Sequence, residues 1–305
     1  MATNREIPQL RASTAVVVGV DGSEGSDLAV RWTAEVAARR GRALHIVHGL
    51  DIAILQSVLG FYDVMDTATI EIAHRRGREI VDDAARSAQE VVPELDVATE
   101  VSDASPARVL IQHSKTAQFV VIGATGTAGT FAHLGSTLLA VATHGHGSIV
   151  VVRDTGTEQH IRHDGPVVVG IDGSPVSEVA VATAFAEAAD RGVELVALHA
   201  WRDWNFGEFA GAPAPGVDAT ELGAAEYAVL AERLAGWQEK YPDVHVDRAV
   251  RQAGPTGLLR EWSRSAQLIV VGSRGRGGFA GLLLGSTSNF LVQHAQCPVL
   301  VAHPA

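Results

Sequence analysis

The sequence predicts an α/β protein built from two tandem doubly wound domains, each a five-stranded parallel sheet covered by helices on both faces. Three observations carry this: a repeat one domain long, short β-branched runs alternating with long amphipathic segments, and glycine-rich turns after the fourth run of each half. The repeat is direct. Ala15-Val-Val-Val-Gly-Val-Asp-Gly-Ser23 returns as Pro166-Val-Val-Val-Gly-Ile-Asp-Gly-Ser174, so that Asp21 becomes Asp172, 151 residues on. Ala43-Leu-His-Ile-Val-His-Gly49 answers to Glu194-Leu-Val-Ala-Leu-His-Ala200, and Ser105-Pro-Ala-Arg-Val-Leu110 to Gly254-Pro-Thr-Gly-Leu-Leu259. Solenoid repeats fall between about 20 and 50 residues, so this period marks duplication of a whole fold. The expected domains are 1–153 and 166–305, with a polar linker over 154–165 that ends at Pro166.

Within the first half the β-branched runs are Ala15 to Val20, Ala43 to Leu50, Val97 to Val101, Phe119 to Gly123 and Ser148 to Val152. Helical spacing of apolar residues covers Ser26 to Arg40, about Asp66 to Val92, Pro106 to Lys115 and Ser136 to His144. Runs that are apolar on both faces and separated by helices require a parallel sheet buried on both sides. In such a sheet ligands sit at the carboxyl ends of the strands where the winding direction reverses. Asp21 and Asp172 end the first strand of each half. The glycine-rich stretch follows the fourth, so the two meet at one crevice.

Composition narrows the function. The chain has 305 residues, 47% of them hydrophobic, and a formal charge of −11 with only two lysines, Lys115 and Lys240. General electrostatic attraction to nucleic acid or an anionic membrane is therefore not expected. A lone cysteine, Cys297, and no secretion-like or membrane-spanning apolar stretch point to a cytoplasmic protein.

The segment Val270 to Ser288 contains six glycines and can be written Gly272-x2-Gly275-x9-Gly285-Ser286. Glycine lets a ligand approach the backbone amides closely. Gly285-Ser286 opens a helix whose unsatisfied N-terminal amides favour a phosphate, with hydroxyls on Ser286, Thr287 and Ser288 and a charge on Arg274 within the same stretch. The dipole alone supplies at most about 2 kcal/mol, so several amides and hydroxyls must act together. The bland alternative is a turn that merely joins strand to helix. Likewise, Asp21 and Asp172 read either as site residues or as turn residues ahead of Ser26 and Ser177.

Val167-Val-Val-Gly-Ile-Asp-Gly-Ser174, the G-2x-G-9x-G-S loop and the closing Cys297-Pro-Val-Leu-Val301 together resemble the universal stress protein family in its tandem two-domain form. The resemblance implies ATP, with or without Mg2+, its nucleoside end beside the strand-one Asp and its phosphates in the glycine loop. In the second half it implicates Asp172, Gly173, Val271, Gly272, Arg274, Gly275, Gly285, Ser286, Thr287 and Ser288, with Ala200 near the adenine. In the first half it implicates Asp21, Gly22, Gly123, Thr125, Gly126, Gly135, Ser136 and Thr137. That half departs from the pattern: eight residues separate Gly126 from Gly135, and Thr125 stands where Arg274 stands, which removes a bidentate phosphate donor. The resemblance also implies pairing of the last strands about a pseudo-two-fold axis between the halves, and a homodimer of such chains.

No Gly-x4-Gly-Lys-Ser/Thr, kinase His-Arg-Asp or Ser-Gly-Gly-x-Asp-Ser loop is present, and Gly19-Val-Asp-Gly22 does not fit a dinucleotide fingerprint. An ATP-binding regulatory protein of the stress response, with little or no turnover and an unidentified protein partner, is the leading reading. A slow ATP hydrolase or nucleotidyl transferase, and a nucleotide-free adaptor, are the alternatives. His144 and His146 show no clustered ligand spacing, and no metal site is expected. His48 and His199 read as hydrogen-bonded core residues or as crevice lining. Trp201 and Trp204 open a segment to Asp218 that reads as a cover or a partner surface.

Overall fold

The computed structural model describes residues 15–54, 67–124, 135–153, 161–201, 219–275 and 284–304. Two compact units divide between Arg153 and Asp154. In the first, β1 (Val16–Gly19), β2 (Leu44–Gly49), β3 (Val97–Ser102), β4 (Phe119–Gly123) and β5 (Ser148–Val152) pair in parallel in the order β3-β2-β1-β4-β5. The connecting helices are α1 (Glu24–Arg39), α2 (Thr67–Val91), α3 (Pro106–Ser114) and α4 (Ser136–His144).

The second unit repeats the plan. Strands β6 (Val167–Ile171), β7 (Leu195–Trp201), β8 (Val246–Gln252), β9 (Leu268–Gly272) and β10 (Val299–Ala302) pair in parallel as β8-β7-β6-β9-β10. Its helices are α5 (Pro175–Arg191), α6 (Ala219–Lys240), α7 (Pro255–Trp262) and α8 (Ser286–His294). The winding reverses between β1 and β4, and between β6 and β9.

Successive strand side chains point to opposite faces, yet Val16, Val17 and Val18 are all buried, as are Val167, Val168 and Val169. Only helices on both faces can achieve that. Each such valine withdraws apolar surface worth about 1.5 to 3 kcal/mol from water. Under the second sheet Phe185 of α5 stacks on Trp237 of α6 and on Tyr241 just beyond it, with centroids 6.1 and 5.9 Å away.

The helix starts show a refinement over the periodicity. Ser26 to Arg40 was the expected first helix, but α1 begins at Glu24 because Ser23 is its N-cap, accepting from the Ser26 amide at 3.2 Å. Ser174 caps α5 in the same way, from the Ser177 amide at 3.2 Å. An oxygen at this position satisfies one otherwise orphaned amide. The last residues of the expected linker pack on the second unit: Ile161 is buried, and the Gln267 side-chain amide donates to the Gly165 carbonyl at 2.7 Å.

Candidate functional site

The crevice of the second unit is built from the turn after β6. Asp172 accepts the Ser174 amide on Oδ1 at 2.9 Å, and its own amide donates to the Ser177 hydroxyl at 3.3 Å. Between them Gly173 has φ +74°, a left-handed conformation in which glycine carries no Cβ penalty. The turn therefore fixes one carboxylate oxygen and turns the other toward β9. A Cβ on Gly275 would collide with that second oxygen, Oδ2, so the main chain at the start of the glycine loop lies directly against the acid.

The far end of the loop returns to the same place. The Gly285 amide donates to the Ser273 carbonyl at 2.7 Å. A Cβ on Gly285 would lie 3.4 Å from the Arg274 Cα and 3.6 Å from the Gly275 nitrogen. Both shoulders of the loop thus touch, and α8 starts from them with Gly285 as an N-cap that has no side chain to satisfy the first amides. Ser286 and Arg274 are exposed and Thr287 is half-buried. Unsatisfied amides and hydroxyls meet at one helix N-terminus, with the main chain of Arg274 beside Gly285, an arrangement chemically suited to an anion.

The remaining predicted residues divide into scaffold and rim. The Ser288 hydroxyl donates to the Gly272 carbonyl at 2.6 Å and is buried, so its proton is committed to holding α8 on β9. Gly272 is pressed on α5: a Cβ there would lie 2.9 Å from Val176 Cγ1. Val271 is buried in β9, and Ala200 is half-buried at the carboxyl end of β7 beside β6. His199 lies beneath, its Nδ1 2.8 Å from the Ile171 carbonyl and its Nε2 3.4 Å from Glu226 Oε2. His48 makes the equivalent contact, Nδ1 to the Val20 carbonyl at 2.7 Å. Both histidines lock strand two to the residue preceding the aspartate.

Ser273, between Gly272 and Arg274 at the candidate crevice, is a residue that sequence reasoning passed over. Its hydroxyl is buried and has no hydrogen-bond partner among the described residues, while its carbonyl and amide tie the loop to Gly285 and Ala302. A buried hydroxyl without a partner costs about 1 to 3 kcal/mol unless water or a ligand meets it. Its place inside the glycine pattern was the available signal.

The first unit presents a partial copy. Asp21 Oδ1 accepts from the Ser23 amide at 3.0 Å and from its hydroxyl at 2.5 Å, and Gly22 has φ +79°. Gly123 closes β4 so tightly on α1 that a Cβ would collide with the Gly25 carbonyl. Gly135 caps α4 without a side chain, and a Cβ there would meet nothing within 4 Å, so the close shoulder contact of Gly285 has no counterpart among the described residues. Ser136 is exposed and Thr137 half-buried, but Leu138 stands at the position of Ser288 and provides no hydroxyl to β4. Thr125 and Gly126 lie outside the described residues, as does the segment from 202 to 218 that contains Trp204.

A doubly wound parallel sheet, written twice, with a glycine-shouldered helix N-terminus facing an aspartate at the switch point, defines a tandem Rossmann-like α/β protein. Comparison with known proteins gives the family: the universal stress protein family model matches residues 13–153 and again 165–303, and the chain belongs to that family. A universal stress protein of Mycolicibacterium smegmatis is 43% identical over 296 residues, covering 95% of this chain and 97% of that one. One from Mycobacterium tuberculosis is 41% identical over 298 residues, covering 96% and 98%. The crystal structure of a universal stress protein from Archaeoglobus fulgidus shares the fold at a TM-score of 0.69, with 17% identity over 95% of this chain and 98% of that chain. No described helix is long and apolar enough to cross a membrane.

Proposed function

We propose that the chain is an ATP-binding regulatory protein of the stress response, with the nucleotide held in the second unit and little or no turnover. The observation that carries this reading is the meeting of Gly275 and Gly285 over Asp172 at an uncapped helix N-terminus. The triphosphate lies along the amides of Gly285 to Thr287, with Arg274 supplying charge and the Ser286 and Thr287 hydroxyls donating. The sugar lies beside Asp172, whose Oδ2 can accept a ribose hydroxyl, and the base extends toward Ala200. Ser288 and Gly272 support the site from behind. Mg2+, when present, is carried by the phosphates. The first unit has the aspartate turn and an open helix start at Gly135, and binds more weakly for lack of a counterpart to Arg274. The family resemblance supports a cytoplasmic homodimer.

The test is extraction of nucleotide from freshly purified protein and its identification by chromatography. Stoichiometric ATP is expected, removed by Gly275→Val without loss of the fold. Recovery of unchanged ATP from that variant would remove the assignment. Single-turnover measurements with and without magnesium separate retention from slow hydrolysis.

A further inference from the structure

We propose that the first unit carries a divalent transition-metal site of the zinc class, formed by His45, Glu100 and His113. These residues come from three elements, β2, β3 and α3, and their ligand atoms all lie within 4.8 Å of one another. Glu100 Oε2 is 3.3 Å from His45 Nε2 and 2.9 Å from His113 Nε2. Tetrahedral Zn2+ with donors at about 2.0 to 2.2 Å needs donors roughly 3.4 Å apart; the two carboxylate–imidazole spacings are within about half an ångström of that, and closure of the imidazole pair completes the geometry. The imidazoles meet edge to face with centroids 4.9 Å apart, which turns both Nε2 atoms toward the same carboxylate. Their side chains are 10% and 20% exposed and that of Glu100 34%, so the donors sit at the edge of the core and one coordination position can be filled from solvent. Two imidazoles and one carboxylate are a borderline donor set, suited to Zn2+, Co2+ or Ni2+ and not to Ca2+ or Mg2+. Binding displaces the Nε2 protons, each ring keeping its proton on Nδ1.

The duplicated unit shows that the fold does not require these groups. Sheet register aligns Leu44 with Leu195 and Val97 with Val246, and α3 aligns with α7. The positions of His45, Glu100 and His113 are therefore filled by Val196, Ala249 and Trp262 in the second unit. Apolar side chains close this corner there, with Val196 and Ala249 buried. The polar trio at this corner of the first unit therefore has no counterpart in the second.

The experiment uses the full chain, stripped with a chelator and titrated with ZnCl2 by calorimetry and with CoCl2 by visible absorption. The expected result is a stoichiometric site of micromolar affinity or better, with the intense ligand-field bands of four-coordinate Co2+. Transplanting the sister residues, His45→Val with Glu100→Ala and His113→Trp, should remove those bands and one equivalent of zinc. Should that variant fail to fold, His113→Asn retains a hydrogen-bonding side chain and should weaken binding by about tenfold or more. No saturable wild-type binding at 100 micromolar Zn2+, or an unchanged Co2+ spectrum in a folded variant, overturns the proposal.

Discussion

The Oδ2 atom of Asp172 occupies the space that a side chain on Gly275 would need. Its partner oxygen is held by the Ser174 amide, so the carboxylate cannot swing away without breaking that bond. Gly275→Val therefore displaces the acid from the crevice. Overpacking of this kind costs about 1 to 3 kcal/mol, but here Gly275 is exposed and the core untouched. The expected outcome is a loss of bound ATP of about tenfold or more with a melting temperature within a few degrees of wild type. Thermal melts and nucleotide content, measured on the same preparation, check it.

Arg274 is exposed and makes no hydrogen bond or ion pair with the protein among the described residues. Removing it should leave stability unchanged. A charge-assisted contact to phosphate is worth about 1.5 to 3 kcal/mol, so Arg274→Gln should weaken ATP binding by about ten- to a hundredfold. An equal loss of affinity for adenosine would place the guanidinium at the wrong end of the ligand.

Much of the fold was legible because strands buried on both faces leave an unmistakable pattern. The runs at Phe119 to Gly123 and Ser148 to Val152 match β4 and β5 residue for residue, and Ser136 to His144 matches α4. Local hydrogen bonding was less visible: α1 starts two residues before Ser26 because the Asp21-Gly22-Ser23 turn supplies the cap, which apolar spacing cannot register. Hydroxyl roles were also hidden. Ser286, Thr287 and Ser288 look alike in sequence, and only helix geometry turns Ser288 inward to the Gly272 carbonyl. His45, Glu100 and His113 escaped entirely, since 55 and 13 residues separate them and only the β2–β3 register with α3 above brings them together.

Cys297 lies at 1% exposure just before β10, where burial pushes its thiol up to about 12 from an ordinary 9.0. The native protein should resist iodoacetamide at pH 8 and react only as it unfolds, because the thiolate is the nucleophile. The linkage has a definite sign. Below pH 9 both folded and unfolded thiols are protonated and the contribution is complete. From pH 9 to about 12 only the unfolded thiol ionises, so stability falls by about 1.4 kcal/mol per pH unit. Cys297→Ala should flatten that part of the denaturation profile, and an unchanged slope would contradict the assignment.

Two glycines of the first unit should respond very unequally to the same methyl group. Gly123 ends β4 against the first turn of α1, and a Cβ there would strike the Gly25 carbonyl, a main-chain group with no rotamer to change. Gly123→Ala must push α1 off the sheet, away from Val30, Ala34 and Ala37 of its buried face. A loss of about 3 kcal/mol or more is expected, near the upper limit for overpacking. Gly135 caps α4 with φ −54°, a conformation that alanine adopts freely, and a Cβ there would meet nothing within 4 Å among the described residues. Gly135→Ala should cost no more than about 1 kcal/mol, the difference between the two residues as N-caps. Urea denaturation of the two variants, followed through Trp32 of α1, compares them directly. Equal midpoints would mean that β4 and α1 are not packed as closely as the Gly123 to Gly25 contact requires.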